Sequence, residues 1–366
     1  MLHTDRPALD LSFEDDQDPD EFVAAAMDWH FSPRTGSPFW LERARSLEFD
    51  PRSDIKRFED LRMFPNVTDE LRDVRVEDLI PKGYGPHPDV AIVGESGGTT
   101  GPPKRVVLLR DWWERMVGWS VAKLDERGVP RDLDWLTLAP TGPHTVGALA
   151  KARVAVTGGV AFSIDMDPRW VKRLIADGRA GEAEAYAEHL VDQAAFVLRT
   201  QDIGGLLCTP PLLERLARRD DLVEIIRGKV RVIQWTGAHM DADTRFLYRT
   251  DVFRDVHLYG LYGSTMVLGG ADERPGLGDD DPCVFDPPSP FIAFGVVDPT
   301  TGAAVPYGQR GQVVMHHVSR SFLLPNNLER DMATRIEPPV GQAGDSVADV
   351  TPVARFGGEV VIEGVY

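Results

Sequence analysis

The sequence is poor in cysteine, with only Cys208 and Cys283 in 366 residues. So few thiols exclude a disulfide framework and a thiolate zinc cluster. Positive charge is short as well: 40 Lys and Arg stand against 58 Asp and Glu, a net charge of -18. A surface of that sign is unsuited to the phosphates of nucleic acid or to an anionic lipid face. Its plain consequence is solubility. No apolar run reaches the ~18 residues that a membrane span requires. The opening stretch MLHTDRPALDLSFEDDQDPD also lacks the basic start and apolar run of a signal peptide. The expectation is a cytoplasmic protein with neither nucleic-acid nor membrane partners.

What is present is the pattern of a large α/β body. Residues 1–20 read as a mobile polar leader. DEFVAAAMDWHF then sets Phe22, Val23, Ala26, Met27 and His30 at helical spacing, and SPFWLERARSL gives a second short helix. FEDLRMFPNVTDELRD reads as a helix broken at Pro65 and restarted after Thr68 as N-cap. From 89 to 263 apolar strands alternate with punctuated helices: DVAIVGES, KRVVLL, WLTLAP, part of VAVTGGVAFSID, GGLLCT, VRVIQWTG and DVHLYGLYGS are the strands. That alternation predicts a largely parallel sheet covered by helices. After about residue 281, FIAFGVVDPTTGAAVPYGQRGQVVMHHV holds two strands joined by a polar turn. The expected organisation is a leader (1–20), an α/β core (21–280) and a β-rich subdomain of the same body (281–366).

One stretch exceeds the needs of a surface turn. ESGGTTGPPKRVV, residues 95–107, packs glycines, hydroxyls and prolines ahead of one lysine and an apolar strand. Small residues let backbone N–H groups turn toward an anion, and Ser and Thr add donors. Ser96, Gly97, Gly98, Thr99, Thr100 and Gly101 would form such a cradle, closed by the charge of Lys104. A Walker loop is excluded, because that pattern needs Gly-Lys-Ser/Thr opening a helix, and here a strand follows. A dinucleotide fingerprint is excluded by the glycine spacing.

SGGTTGPPK (96–104) resembles the signature of the acyl-adenylate-forming (ANL) superfamily, whose Ser/Thr/Gly-rich loop wraps the phosphates of ATP. Further segments share the resemblance. LYGLYGSTM (258–266) is similar to the Tyr-Gly-x-Thr-Glu segment, which implies Tyr262 against the adenine with Gly263 beside it, and Thr265 on the α-phosphate. WTGAHM (235–240) resembles the adenine loop, implying close backbone approach at Gly237 and Ala238. PTGPHTVGALA (140–150) resembles the segment flanking the carboxylate pocket, with His144 as the flanking residue. GQVVMHHVSRSFLLPNNLERDMATR fits the ribose segment and implies Asp331 on the ribose hydroxyls, with Asp345 of AGDSV as competitor. By this resemblance Lys104, Thr265 and His144 carry the catalytic roles, and the other named residues bind nucleotide.

The family implies an α/β fold: a large N-terminal domain of helix-flanked mixed and parallel sheets with a β-rich subdomain. FSPRTGSPFWLERA and LRMFPNVTDELRD are similar to phenylacetate-CoA ligase-like members, which use aryl acids. The sequence ends at Tyr366 and its last lysine is Lys229, so the small C-terminal domain and its lysine are expected to be absent. A short branch of the family with that layout serves phenazine antibiotic biosynthesis. The implied function is ATP-dependent adenylation of an aromatic, phenazine-type carboxylate to an acyl-AMP by a carboxylate-AMP ligase of reduced activity alone. A CoA, carrier or reductase acceptor would follow. The sequence departs from the family at Met266, where a glutamate holds Mg²⁺, since a thioether is no ligand for a hard cation. Asp272 or Glu273 would have to substitute. A second function class stays open: a non-catalytic protein that holds an aryl acid or its adenylate for a partner.

Overall fold

The computed structural model describes residues 8–15, 17–97, 102–353, 355–356 and 359–360. Within the stretch read as a leader, Ala8–Asp10 forms a 3-10 turn with Leu9 buried, and Asp10 pairs with Arg320 at 3.0 Å. Three helices open in one way: α1 (Pro19–Phe31), α2 (Pro38–Arg43) and α3 (Pro51–Asp54) each follow a capping side chain, Asp18, Ser37 or Asp50. Each then starts on proline, whose missing N–H is no loss in a first turn.

The next segment departs from expectation. Residues 58–72 hold two 3-10 turns, Phe58–Met63 and Glu70–Arg72, and no restarted α-helix. Thr68 does not cap a helix. Its hydroxyl serves Asn66 at 2.6 Å and reaches across the chain to Asn327. The Pro65-Asn66 pair favours this turn, because proline blocks helical continuation and asparagine offers its own side-chain acceptor.

Strands β1 (Val90–Glu95) and β2 (Arg105–Leu109) pair antiparallel as a separate hairpin. They do not join the parallel sheet, since their connection leaves no room for a crossover helix. The main sheet begins after α4 (Arg110–Glu126). It runs through β3 (Asp134–Leu138), α5 (Thr145–Thr157), β4 (Ala161–Ser163), α6 (Pro168–Ala176), α7 (Ala180–Thr200) and β5 (Ile203–Cys208). It continues through α8 (Pro210–Ala217), α9 (Asp220–Lys229), β6 (Val232–Thr236), α10 (Ala242–Leu247) and β7 (His257–Ser264). These strands lie parallel in the order β4-β3-β5-β6-β7. All residues of β5 and β6 are buried, β5 as an apolar run and β6 with two buried polar groups that find partners, Gln234 accepting from Arg153 and Thr236 donating to the Leu261 carbonyl.

α5 itself was not expected, because Val154, Val156 and Thr157 favour a strand. Its helix ends where Gly158 and Gly159 take φ of 89° and 81°. At Gly159 a Cβ would stand 2.1 Å from the Leu133 carbonyl oxygen, so only glycine fits.

Beyond β7 the sheet turns antiparallel without interruption. β8 (Gly269–Glu273), β9 (Val284–Asp286), β10 (Ile292–Val297), β11 (Arg310–Val318), β12 (Leu323–Ile336) and β13 (Ser346–Pro352) complete an eleven-stranded sheet. Its order is β10-β11-β12-β13-β9-β8-β7-β6-β5-β3-β4. The class is therefore α/β, with one mixed sheet flanked by helices. β3 connects outward to β4 on one side while β5 lies on its other side, so the strand order reverses at β3. In open α/β sheets ligands settle in the crevice beyond the carboxyl ends of the strands at such a reversal.

Candidate active site

That crevice is occupied by two adjoining cavities. The first encloses about 290 Å³ and is walled by the residues that follow β3, β5, β6 and β7, by the β1–β2 hairpin and by β12. The hairpin brings Ser96, Gly97 and Lys104 to the rim. Its base is pinned twice: Ser96 N–H donates to the Lys104 carbonyl at 2.9 Å, and Lys104 N–H donates to Ser96 Oγ at 3.0 Å. Lys172 Nζ donates to the Gly97 carbonyl at 2.7 Å. Gly98, Thr99, Thr100 and Gly101 lie outside the described residues.

Lys104 is not idle. Its side chain is only 12 % exposed, and Nζ stands 2.9 Å from the carboxylate of Asp69. The lysine's hydrogen bond holds the Asp69 acid below the usual carboxylate range. Across the cavity, Thr265 opens the short turn Thr265–Val267 after β7, and His144 precedes α5. Burial, then the charges of Arg169 and Lys172, push the His144 imidazole below its ordinary value. At neutral pH it is uncharged, a polar wall that can donate or accept.

The second cavity encloses about 360 Å³ and holds Gly237, Ala238, Tyr262 and Asp331 together with Trp235 and Phe285. Gly237 takes φ of 84°, which lets the loop after β6 turn its backbone to the cavity. At Gly263 a Cβ would meet the Gly269 carbonyl oxygen at 2.4 Å, so β7 and β8 close here only because the residue is glycine. The Tyr262 hydroxyl donates to Asp331 Oδ2 at 3.0 Å. Burial, then the Asp331 charge, raise the phenol well above its ordinary value. Gly237, Leu261, Gly263, Arg330 and Asp331 line both cavities, so the two share a wall. Asp345 lines neither. It is buried in an ion pair with Arg335 at 2.8 Å and accepts from Val296 N–H at 3.2 Å, a structural position.

The carboxylates do not suit a protein-held magnesium. Met266 lies on the wall of the first cavity, 5 % exposed. Glu273 is spent elsewhere: it pairs with Arg245 at 2.9 Å and Arg249 at 2.8 Å and accepts from Gly260 N–H. Asp272 lines the first cavity but is paired with Arg127 at 2.6 Å. Burial pushes its acid up to about 7, which disfavours the ion a metal would need. Among the described residues no cluster of three or more His, Cys, Asp or Glu could hold a metal. Asp272 and Glu273, the two carboxylates expected to stand in for a metal-holding acid, are thus both committed to arginines.

The inner wall of the first cavity was not legible in motifs. Met116, Trp119, Ser120 and Lys123 of α4 face it, as do Val146, Leu149, Ala150 and Arg153 of α5. Each set runs i, i+3, i+4, i+7, one stripe of a helix. That spacing is the signal from which the wall could have been read, had α5 been recognised as a helix.

No family model and no curated protein matches the sequence. Among solved structures the chain is similar to 2-hydroxyisobutyryl-CoA ligase in an open conformation, in complex with 2-HIB-AMP and CoA. Identity is 17 %, over 93 % of this chain and 78 % of that one, with a TM-score of 0.61. The likeness shows a shared fold: one mixed α/β sheet flanked by helices. The same ligase in its postadenylation state, with 2-HIB-AMP, matches at 17 % identity over 94 % of this chain and 70 % of that one, TM-score 0.61. Its thioesterification state, with 2-HIB-AMP and CoA, matches at 18 % identity over 91 % and 68 %, TM-score 0.60. No helix among the described residues is long and apolar enough to cross a membrane.

Proposed function

We propose that the chain adenylates an aromatic carboxylate: one carboxylate oxygen attacks the α-phosphorus of ATP, the bond to the β-phosphate oxygen breaks, and pyrophosphate leaves. The observation that carries this reading is the shared wall of the two cavities. A polar and aromatic chamber with Tyr262, Gly237 and Asp331 adjoins, through Gly263, a chamber rimmed by Ser96, Gly97, Lys104 and Thr265. An adenosine in the second and an acid in the first would meet at that wall. Lys104 and the loop donors would stabilise charge developing on the phosphates, and Thr265 would hold the α-phosphate. The protein supplies no nucleophile, so positioning and electrostatics carry the rate. Trp119 and Met116 in the acid chamber suit a flat ring, and a phenazine carboxylate is the finer reading. A CoA, carrier or reductase would then take the acyl group.

The test is calorimetric titration of ATP and AMP, with and without an aryl acid, on wild type and Lys104→Ala. Nucleotide binding that weakens about 10- to 100-fold in the variant is expected, the loss of one charge-assisted contact. No nucleotide binding in either protein would end the reading. A second reading, a binder that holds acid or adenylate without making it, is favoured by Met266 and by the Asp69 clasp on Lys104. Release of pyrophosphate from acid and ATP separates the two.

A further inference from the structure

The β1–β2 hairpin is not held by its own strands alone. Glu95 N–H donates to the Pro143 carbonyl at 2.7 Å, the Glu95 carboxylate accepts from Arg105 at 2.9 Å, and Ser96 closes on Lys104. α6 adds two charges to these anchors. Arg169 and Lys172, one helical turn apart, both face the end of β1. Arg169 pairs with the Glu95 carboxylate, and Lys172 Nζ donates to the Gly97 carbonyl at 2.7 Å. Gly97 lines the first cavity, whereas Lys172 is not on its wall. The carbonyl is therefore drawn out of the cavity toward the helix.

Lys172 is 7 % exposed, an ammonium taken out of water at a cost that its acceptors must offset. The helix does not need it for its own seat. Val171 and Leu174 pack with Ala183 and Tyr186 of α7, the Tyr186 hydroxyl accepts from Asp167 N–H at 3.1 Å, and Asp167 caps the first turn. What the lysine holds is a carbonyl of the cavity wall. A carbonyl oxygen facing an anion repels it, while one drawn onto an ammonium does not, and the ammonium adds its own positive field. We propose that Lys172 is a positioning residue for the phosphate site: it holds the Gly97 carbonyl onto α6, keeps that oxygen off the anion's seat and fixes the entry to the Ser96–Lys104 loop. The inference rests on the adenylation reading for the identity of the anion. It adds a residue from a helix that carries none of the nucleotide motifs.

The experiment compares wild type, Lys172→Met and Lys172→Arg. ATP, inorganic pyrophosphate and adenosine are titrated by calorimetry, amide hydrogen exchange is followed across residues 95–107, and thermal unfolding is recorded on the same samples. In Lys172→Met, ATP and pyrophosphate should bind about tenfold more weakly, the loss of one charged hydrogen bond, while adenosine stays within about twofold of wild type. Exchange across 95–107 should rise about tenfold as the local anchor is lost. Lys172→Arg keeps a charged donor and should recover part of both effects. Should Lys172→Met fail to fold, Lys172→Gln, which keeps a neutral donor, carries the same test with a smaller loss. Unchanged ATP and pyrophosphate affinity, or equal weakening of all three ligands with a lowered melting temperature, makes the lysine a brace of α6 and overturns the proposal. Weakened ATP binding with unchanged exchange leaves only the lysine's charge at work and overturns the positioning role. If ATP binds equally to wild type and Lys172→Met, the adenylation reading survives alone. If wild type binds pyrophosphate but neither ATP nor adenosine, and Lys172→Met loses it, the positioning role stands and the adenylation reading falls.

Discussion

The parallel and antiparallel halves of the sheet contribute to the site in different ways. In the parallel half the central strands β5 and β6 are buried throughout, and the cavity takes its lining largely from where strands stop: Pro140 after β3, Thr209 after β5, Gly237 after β6 and Thr265 after β7. In the antiparallel half polar groups sit within the strands. Glu273 on β8, Asp286 on β9, His316 and His317 on β11, Asn327 and Asp331 on β12 are all half-buried or buried. A parallel strand covered by helices has no wet face on which to carry a charge, so function moves to its end. The antiparallel half carries its charges as pairs, and those pairs hold the walls of the site.

This contrast explains what could be read from the sequence. Strand-end chemistry is local, so SGGTTGPPK, WTGAHM and LYGLYGSTM stood out as short motifs with glycine where backbone must approach closely. Mid-strand and mid-helix chemistry is not local. Arg153 acquires its meaning from Gln234, 81 positions away, and Asp69 from Lys104. Thr68 reads as a helix cap in the sequence because its partner, Asn327, lies 259 positions downstream. The choice between Asp331 and Asp345 turned on spacing alone, and only the fold shows Asp345 inside an ion pair. Met266 was legible as a departure, but the commitment of Asp272 and Glu273 to arginines shows only in the fold.

The largest expected effect is on the paired charges. Glu273→Leu leaves Arg245 and Arg249 facing each other without an acid and removes the acceptor for Gly260 N–H. Breaking one side of a buried pair costs about 3–5 kcal/mol. Urea unfolding should show a loss of that size, and a loss under about 1 kcal/mol would mean that the charges in this half are not what holds it.

Acid should come next. His30, His316 and His317 lie on or against the β11–β12 corner, and burial pushes them down to about 4, 3 and 3. The unfolded chain protonates them near 6.5 while the folded chain does not, so stability falls as pH drops below 6.5. Asp272 acts oppositely: raised to about 7, it is protonated when folded and ionised when unfolded, down to about pH 4. Three protons against one leave a net slope of about 2.7 kcal/mol per pH unit. That slope develops only as the unfolded histidines fill below pH 6.5, so stability at pH 5.5 should be about 2 kcal/mol below that at pH 6.5, and a flat profile across this range would show these histidines to be hydrated. His317→Gln should flatten the limiting slope by about one half, from a net two protons to a net one.

The smallest effect sits on the seam between the halves. Tyr262 on β7 donates to Asp331 on β12 at 3.0 Å, a side-chain bond that joins a strand end of one half to the middle of a strand in the other. Tyr262→Phe keeps the ring against Phe285 and Phe294 but removes the donor that orients the carboxylate. A hydrogen bond to a charged acceptor carries about 1.5–3 kcal/mol, and part of it is regained by water at a half-open wall. AMP affinity should fall about three- to tenfold with the melting temperature nearly unchanged. In a double-mutant cycle with Asp331→Asn, the two losses should fail to add by about 1 kcal/mol, since each change removes the same bond. Additive losses would mean that tyrosine and aspartate meet the nucleotide independently, and that the seam is a contact between two separately built walls rather than one site.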